Sequence, residues 1–581
     1  MISSNNPNLE RPNVIFQGNT HFDIDTNRFS GKPSYDGHVG GIPLLYDHDK
    51  RSLAIDSSDT HTICFGSSGS KKTRALVMPS IKVLGNAGES MIINDSKGEL
   101  FTRMAGTLEK LGYSIITVNF RNPAIGNAWN PLFIPYMYYK SGDMDKAAEF
   151  ANDIANTLAL GEISDKDPYW DYAACDTCYG LILLTMRYCK ESNLPDSAVN
   201  IGNLLLLRRK LFEKGSQAKN SLLWKWASED ELIAASLSGC IMTAEDTRNG
   251  ILSVLDQKLR CFMIAPTLLD MLSNNNFAIE DIGNTKTAVF LITPDEKTTY
   301  HRLVSLFISQ SYQHLIYSAT RTGGKVRNRI NYILDEFSSL PAIGSDFASY
   351  IAAARSRNIK FLIIVQSKNQ LIRRYKEEAF TITANCTNWI VLFSRELDLL
   401  REISELCGQK KDHTPNISVY DLQHLSKDKN EALLLSGRQK PCIVSFLDID
   451  QFGEKRYTVI DIDTPARTER ERIDFSKLPD GTPIEDNRPF DPFSSRSSNF
   501  INPFSPPPVS HSPIAAEQAD IEAQTSSALI ETKIAELKDK ETPETEANLG
   551  SRNQLSELVK TIEARRAEIV AGNNDMNTTI E

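Results

Sequence analysis

Short apolar, β-branched runs alternate with amphipathic helical periods in two separate stretches of this 581-residue chain, and a helix-only stretch divides them. The first stretch reads strand (THTICFG), glycine/serine loop, helix (TRALVMPSIKVLG), strand (ESMIIND), helix (GELFTRMAGTLEKLG), strand (YSIITVNF). Such alternation argues for a parallel sheet with helices on its faces. From about Asp145 to Asn275 the periods are helical throughout, as in YAACDTCYGLILLTMRYC and ILSVLDQKLRCFMIAPTLLDMLS. Strand-like runs then return as TAVFLIT, RINYILDEF, IKFLIIVQS, NWIVLFS, EALLLSG and CIVSFLDI. The expected fold class is α/β: one sheet, interrupted near residue 145 by an all-helical insertion and resumed near 287.

The ends of the chain differ from this middle. Residues 1–59 are polar and carry short strand-like runs, with neither the basic nor the apolar segment of a secretory signal. No run of about 20 apolar residues predicts a membrane-spanning helix. Two long uncharged runs, Asn122 to Tyr139 and Ser497 to Ala516, are rich in Pro with Asn or Ser and read as loop. The Pro/Ser/Phe-rich stretch 488–513 cannot bury a core. Beyond it, Leu529, Ile530, Ile534 and Leu537, then Leu555, Leu558, Val559, Ile562 and Ile569, mark two amphipathic helices that suit either a floppy tail or partner docking.

The net charge of −10 excludes a strongly basic whole-chain nucleic-acid binder. Residues 501–581 hold 14 acids against 7 bases, which leaves residues 1–500 near −3. A local basic channel therefore stays open. Candidates are Arg208-Arg209-Lys210, the set Arg321, Lys325, Arg327 and Arg329, and Arg373-Arg374, which would bind phosphates in a salt-dependent way or simply face solvent. Cys175 and Cys178 form a C-x-x-C without a second metal-spaced pair, and read as core cysteines on a helix in a reducing compartment.

Between the first strand and helix lies Gly66-Ser67-Ser68-Gly69-Ser70-Lys71-Lys72-Thr73, one residue away from G-x-x-x-x-G-K-[ST]. In that motif backbone N–H groups and a helix N-terminus cradle phosphates, the lysine reaches the terminal phosphates, and the hydroxyl binds Mg²⁺. Lys72 and Thr73 take the last two roles. Lys71 stands where the pattern has its second glycine. If that position needs a positive φ, a non-glycine residue costs roughly 1–2 kcal/mol, and ATP binding would weaken about 5- to 30-fold. A second cation beside the phosphates would offset part of the loss.

The complement of such a loop is an acidic strand end, and Tyr332-Ile333-Leu334-Asp335-Glu336 supplies one. Asp335 is placed to hold Mg²⁺, and Glu336 to polarise an attacking water. Arg355, at the end of an alanine-rich helix, suits a neighbouring subunit's phosphates, and Gln366, ending the strand FLIIV, suits a sensor of the terminal phosphate.

At this point the chain resembles a known family, the type IV secretion coupling proteins of the TraG/TraD group of conjugation ATPases. The resemblance runs from about residue 40 to 445 and rests on five ordered segments besides the loop. Asn94-Asp95-Ser96-Lys97-Gly98-Glu99-Leu100 looks like the family's D-P-K-G-E-L, with Ser96 where proline is usual. Ala128-Trp129-Asn130-Pro131-Leu132 matches W-N-P-L, and Asp167-Pro168-Tyr169-Trp170 resembles D-P-[FY]-W. Leu334-Asp335-Glu336-Phe337 is similar to L-D-E-F, and Ile364-Val365-Gln366-Ser367 to a strand ending in Q-S.

The resemblance implies a RecA-like P-loop nucleotide-binding domain, with an N-terminal segment, over residues 1–144 and 276–465. It implies an all-alpha insertion over 145–275, and composition adds a Pro/Ser-rich linker and acidic, disordered tail with short amphipathic helices over 466–581. It further implies a hexameric ring that uses ATP and Mg²⁺ to deliver substrate into a conjugation channel. Residues 66–73 would then bind nucleotide, Thr73 and Asp335 the metal, with Glu336, Arg355 (an arginine finger) and Gln366 catalytic. Implied partners are a relaxase or relaxosome and single- or double-stranded DNA. A membrane-embedded channel or anchor protein would recruit a chain without its own anchor to the inner face of a bacterial membrane. Lys71 leaves open a non-hydrolysing adaptor with the same fold. A DNA-translocating ATPase outside conjugation, of the FtsK/HerA kind, fits less well because of the helical insertion and the W-N-P-L segment.

Overall fold

A computed structural model describes residues 23–25, 40–47, 52–160, 167–213, 215–321, 323–344, 346–452 and 457–484. The two amphipathic stretches expected after residue 520 lie outside the described residues. A small antiparallel sheet comes first, built from β1 (Asp23–Asp25), β2 (Ile42–Asp47) and β3 (Ser52–Asp56) in the order β1-β3-β2.

Among the described residues the main sheet has nine strands. They are β4 (His61–Phe65), β5 (Ser90–Asp95), β6 (Ser114–Asn119), β7 (Thr287–Ile292), β8 (Ile330–Leu334), β9 (Ile359–Val365), β10 (Cys386–Val391), β11 (Glu431–Ser436) and β12 (Cys442–Ser445). Their order is β12-β11-β10-β4-β9-β8-β5-β7-β6. From β10 to β6 every pairing is parallel, and β11 and β12 close one side antiparallel. The expected α/β class is the one observed.

The strands read as mainly apolar runs rather than alternating ones because the sheet is largely buried on both faces. Successive side chains point to opposite sides. Ile63 and Phe65 of β4 therefore join one core cluster, while Cys64 between them joins the other.

Among the described residues no strand lies between β6 and β7. Helices fill the interval, including Met144–Ala155, Tyr169–Glu191, Ile201–Phe212, Glu231–Ile241 and Glu245–Met263. Cys175 and Cys178 are buried on Tyr169–Glu191, and all nine cysteines are buried and outside any disulfide. Burial pushes the Cys175 thiol up to about 12. Among the described residues no group of three or more His, Cys, Asp or Glu is placed to hold a metal ion.

One loop expectation is corrected. The second half of the run Asn122 to Tyr139 belongs to the helix Phe133–Ser141. Pro135 is its third residue, where a backbone N–H has no intrahelical acceptor and the ring costs nothing.

The W-N-P-L segment joins the helical interval to the helix His301–Arg321 that follows β7. Trp129 Nε1 donates to Gln310 Oε1 at 3.3 Å, and Asn130 Nδ2 donates to the Val199 carbonyl at 2.7 Å. The D-P-Y-W segment starts the long helix, Asp167 Oδ2 accepting from Trp170 Nε1 at 2.9 Å. Gly250 faces the Trp170 ring, where a Cβ would come within 2.6 Å of an indole carbon.

Residues 457–484 form a strap that contains neither helix nor strand. It starts on the α/β side, where the Thr458 carbonyl lies against Gly106. Arg467 then donates to the carbonyls of Pro123 and Gly126 at 2.6 and 2.8 Å. It finishes on the helical interval, with Ile473 N–H donating to Asn203 Oδ1 at 3.0 Å and Phe475 packed edge-on against Tyr188 at 4.8 Å.

Candidate nucleotide site

Ligands of open parallel sheets bind beyond the carboxyl ends of the strands. Three neighbouring strands, β4, β9 and β8, deliver the expected residues to that edge. Gly66 follows β4, Gln366 follows β9, and Asp335 and Glu336 follow β8. The loop is tied to the sheet by its backbone: Gly66 N–H donates to the Val365 carbonyl at 3.2 Å and Ser67 N–H to the Phe393 carbonyl at 2.9 Å.

Gly66 has no room for a side chain, since a Cβ would lie 2.6 Å from Ser70 Oγ and 3.1 Å from Leu392 Cβ. Gly69 has φ +76° and is exposed with Ser68 at the loop's tip. Lys71 has φ 64°, so the position where the motif has glycine does require the left-handed backbone. A π-helical turn, Thr73–Val77, and the helix Met78–Ala87 follow.

The Lys72 ammonium is buried and donates to the carbonyls of Gly66 and Ser67 at 2.6 and 3.0 Å. Burial pulls its pKa below the ordinary value. The Thr73 hydroxyl donates to Asp335 Oδ2 at 3.3 Å. Asp335 is buried, and burial together with the adjacent Glu336 charge pushes its carboxyl up to about 6, against the pull of Lys72. Glu336 has φ 52° and is half-buried, and its N–H donates to Asp335 Oδ1 at 3.0 Å. The Lys71 ammonium points elsewhere than a second phosphate cation would. It donates to Asn430 Oδ1 at 3.1 Å.

Ser70 Oγ is buried in the loop and has no hydrogen-bond partner among the described residues. An unpaired buried hydroxyl is costly. Together with an ammonium bonded to the loop's own carbonyls and a hydroxyl–carboxylate pair, it fits a polyphosphate with its divalent cation.

Arg355 is not brought to this edge. It precedes β9, beyond the amino ends of the strands, and its Nε donates to the Asp59 carbonyl at 2.8 Å. The phosphate loop follows the opposite end of β4, about 16 Å away at roughly 3.3 Å per strand residue.

Sequence reasoning missed Asn94 and Asn430. Asn94 Nδ2 donates to the Asp335 carbonyl at 2.6 Å, bracing the acidic strand end. It lies inside the N-D-S-K-G-E-L segment, so a signal existed. Asn430 is one polar residue before a strand, and no local pattern marks it.

The basic clusters are partly committed to ion pairs. Arg208 meets Asp256 at 2.6 Å and Lys210 meets Glu213 at 3.2 Å, while Arg329 meets Asp59 at 2.8 Å and Glu89 at 3.4 Å. Lys325, Arg327 and Arg373 are exposed.

Comparison with known proteins identifies the family of the chain. The model of the type IV secretory system conjugative DNA transfer family matches residues 24–439. The chain belongs to that family. It is 22% identical over 380 residues to the type IV secretion system-coupling protein VirD4 of Bartonella henselae, and equally to that of Bartonella quintana. Each match covers 64% of this chain and 56% of the relative, so the chain spans about half the length of the curated relatives it matches. Among solved structures, the bacterial conjugative coupling protein TrwBdeltaN70 aligns at 15% identity and a TM-score of 0.49, over 73% of this chain and 92% of that one. TrwB with the non-hydrolysable ATP analogue ADPNP aligns at 14% identity and 0.49, over 71% and 89%. No helix among the described residues is long and apolar enough to cross a membrane.

Proposed function

We propose that the chain is the coupling ATPase of a conjugative type IV secretion system. It links a relaxase–DNA complex to a membrane-embedded transfer channel and uses ATP with Mg²⁺ to drive substrate delivery. The observation that carries this reading is the convergence of Lys72, Thr73, Asp335 and Glu336 at the carboxyl ends of β4 and β8, the two strands that flank β9, inside the segment matched by the family.

Bound Mg·ATP supplies the transferable phosphoryl group. Lys72 and those N–H groups of the loop 66–73 that are not already bonded to the Val365, Phe393 and Ser67 carbonyls bind its phosphates, and Thr73 and Asp335 hold the metal. Glu336 Oε takes the proton of the attacking water, and Gln366 orients the terminal phosphate. Arg355 lies beyond the amino ends of the strands, which supports a role on the next subunit's nucleotide and hence a homo-oligomer, a hexamer when active.

Recruitment to the inner face of the membrane is assigned to the channel or anchor protein. DNA contact, single- or double-stranded, is assigned to the exposed basic residues. A second reading, a weakly binding adaptor that does not hydrolyse ATP, is favoured only by the left-handed Lys71, whose strain costs roughly 1–2 kcal/mol.

The test is plasmid transfer from a donor whose own copy of the gene is deleted. The native chain restores transfer, and Lys72→Ala and Glu336→Gln do not. Full transfer with Glu336→Gln would establish the adaptor instead.

A further inference from the structure

We propose that Asn430 is a positioning residue for the phosphate loop, holding the Lys71 ammonium outside the cradle so that a lysine can occupy the loop's left-handed position. This rests on the nucleotide reading above.

Two lysines stand side by side in the loop, and their ammonium groups take different partners. Lys72 takes the carbonyls of Gly66 and Ser67, whereas Lys71 takes Asn430 Oδ1 at 3.1 Å. The acceptor is held from several directions. Asn430 Nδ2 donates to the Phe446 carbonyl at 3.3 Å, which leaves Oδ1 for the lysine. The Asn430 carbonyl accepts from Phe446 N–H at 3.0 Å, and its own N–H donates to the Lys427 carbonyl at 3.3 Å. Asn430 is buried and has φ 50°, a backbone that asparagine tolerates better than most residues.

Asn430 also belongs to the framework that carries the loop. It leads into β11, which pairs with β10, and β10 lies beside β4, the strand that feeds Gly66. A hydrogen bond to a charged donor is comparable in size to the strain of one left-handed residue, so the clamp is strong enough to offset it. Without the clamp Lys71 favours the right-handed backbone, and its N–H turns out of the phosphate cradle. The expected consequence is a roughly tenfold loss of nucleotide affinity, 1.4 kcal/mol at 25 °C.

The experiment is titration of the full chain with a fluorescent ATP analogue and Mg²⁺. Asn430→Gly, which keeps the positive φ accessible but removes the acceptor, is expected to bind about tenfold more weakly. Lys71→Met, which removes the ammonium and keeps the Cβ, is expected to lose a similar factor and serves equally if Asn430→Gly fails to fold. Asn430→Asp restores the acceptor and binds like the native chain. In a Lys71→Gly background, Asn430→Gly changes nothing further. Equal loss from Asn430→Gly in both backgrounds, or no loss from Lys71→Met, would overturn the positioning role while leaving the nucleotide site intact. No saturable binding by the native chain or by Lys71→Gly would overturn the nucleotide reading, and this inference with it.

Discussion

The Thr73 hydroxyl donates to Asp335 Oδ2 at 3.3 Å across 262 residues of sequence, joining the first and second parts of one interrupted sheet at its carboxyl edge. Both halves of the site depend on the resumption of β8 beside β5 after the helical interval.

The burial of Asp335 at this edge sets a pH dependence. Asp335 rests at about 6 in the folded chain, above its ordinary 3.8, chiefly because it is buried. The folded state therefore keeps a proton that the unfolded state has lost between those values. This stabilising contribution is full below 3.8 and is lost as pH rises through about 6. Asp335→Asn is expected to unfold at higher denaturant than the native chain at pH 8, by a few kcal/mol, with the gap shrinking toward pH 5. The same variant loses Mg²⁺-dependent nucleotide binding. A native chain as stable as the variant at pH 8 would rule out burial as the cause.

Arg355 and the phosphate loop lie beyond opposite ends of adjacent parallel strands, so a catalytic Arg355 must act on another subunit. Arg355→Ala and Lys72→Ala are each expected to abolish hydrolysis alone. Mixed in one oligomer, they form some interfaces with a native loop on one side and a native arginine on the other. Partial recovery of phosphate release on mixing is the expected outcome, and no recovery at any ratio would count against action in trans.

The strap makes the helical interval and the α/β part depend on each other. Phe475 is buried against Tyr188, and Phe475→Ala is expected to cost about 3–5 kcal/mol and lower the melting temperature. Nucleotide affinity at 25 °C should stay unchanged, because the ring touches none of the loop residues. An unchanged melting temperature would show that the strap does not support the fold.

Much of this architecture was legible because its signals are local. The loop Gly66–Thr73 is eight consecutive residues with fixed roles, and strands buried on both faces are mainly apolar rather than alternating. The strap was not legible, since its anchors are backbone carbonyls and single side chains such as Asn203 on a distant helix and Asn274 in a distant loop. Phe133–Ser141 was hidden by a proline that the first turn of a helix accepts. Lys71 was visible as a departure, but its partner lies 359 residues away in a turn without a motif.

The most direct test of the central claim is the steady-state rate of Mg·ATP hydrolysis by the purified chain, with and without single-stranded DNA, for the native protein and Glu336→Gln. Measurable hydrolysis by the native chain, stimulated by DNA, is expected. Glu336→Gln is expected to lose at least a hundredfold, the order expected when a positioned general base is removed, with nucleotide binding retained. Native hydrolysis no faster than that of Glu336→Gln, with both proteins binding nucleotide, would contradict it.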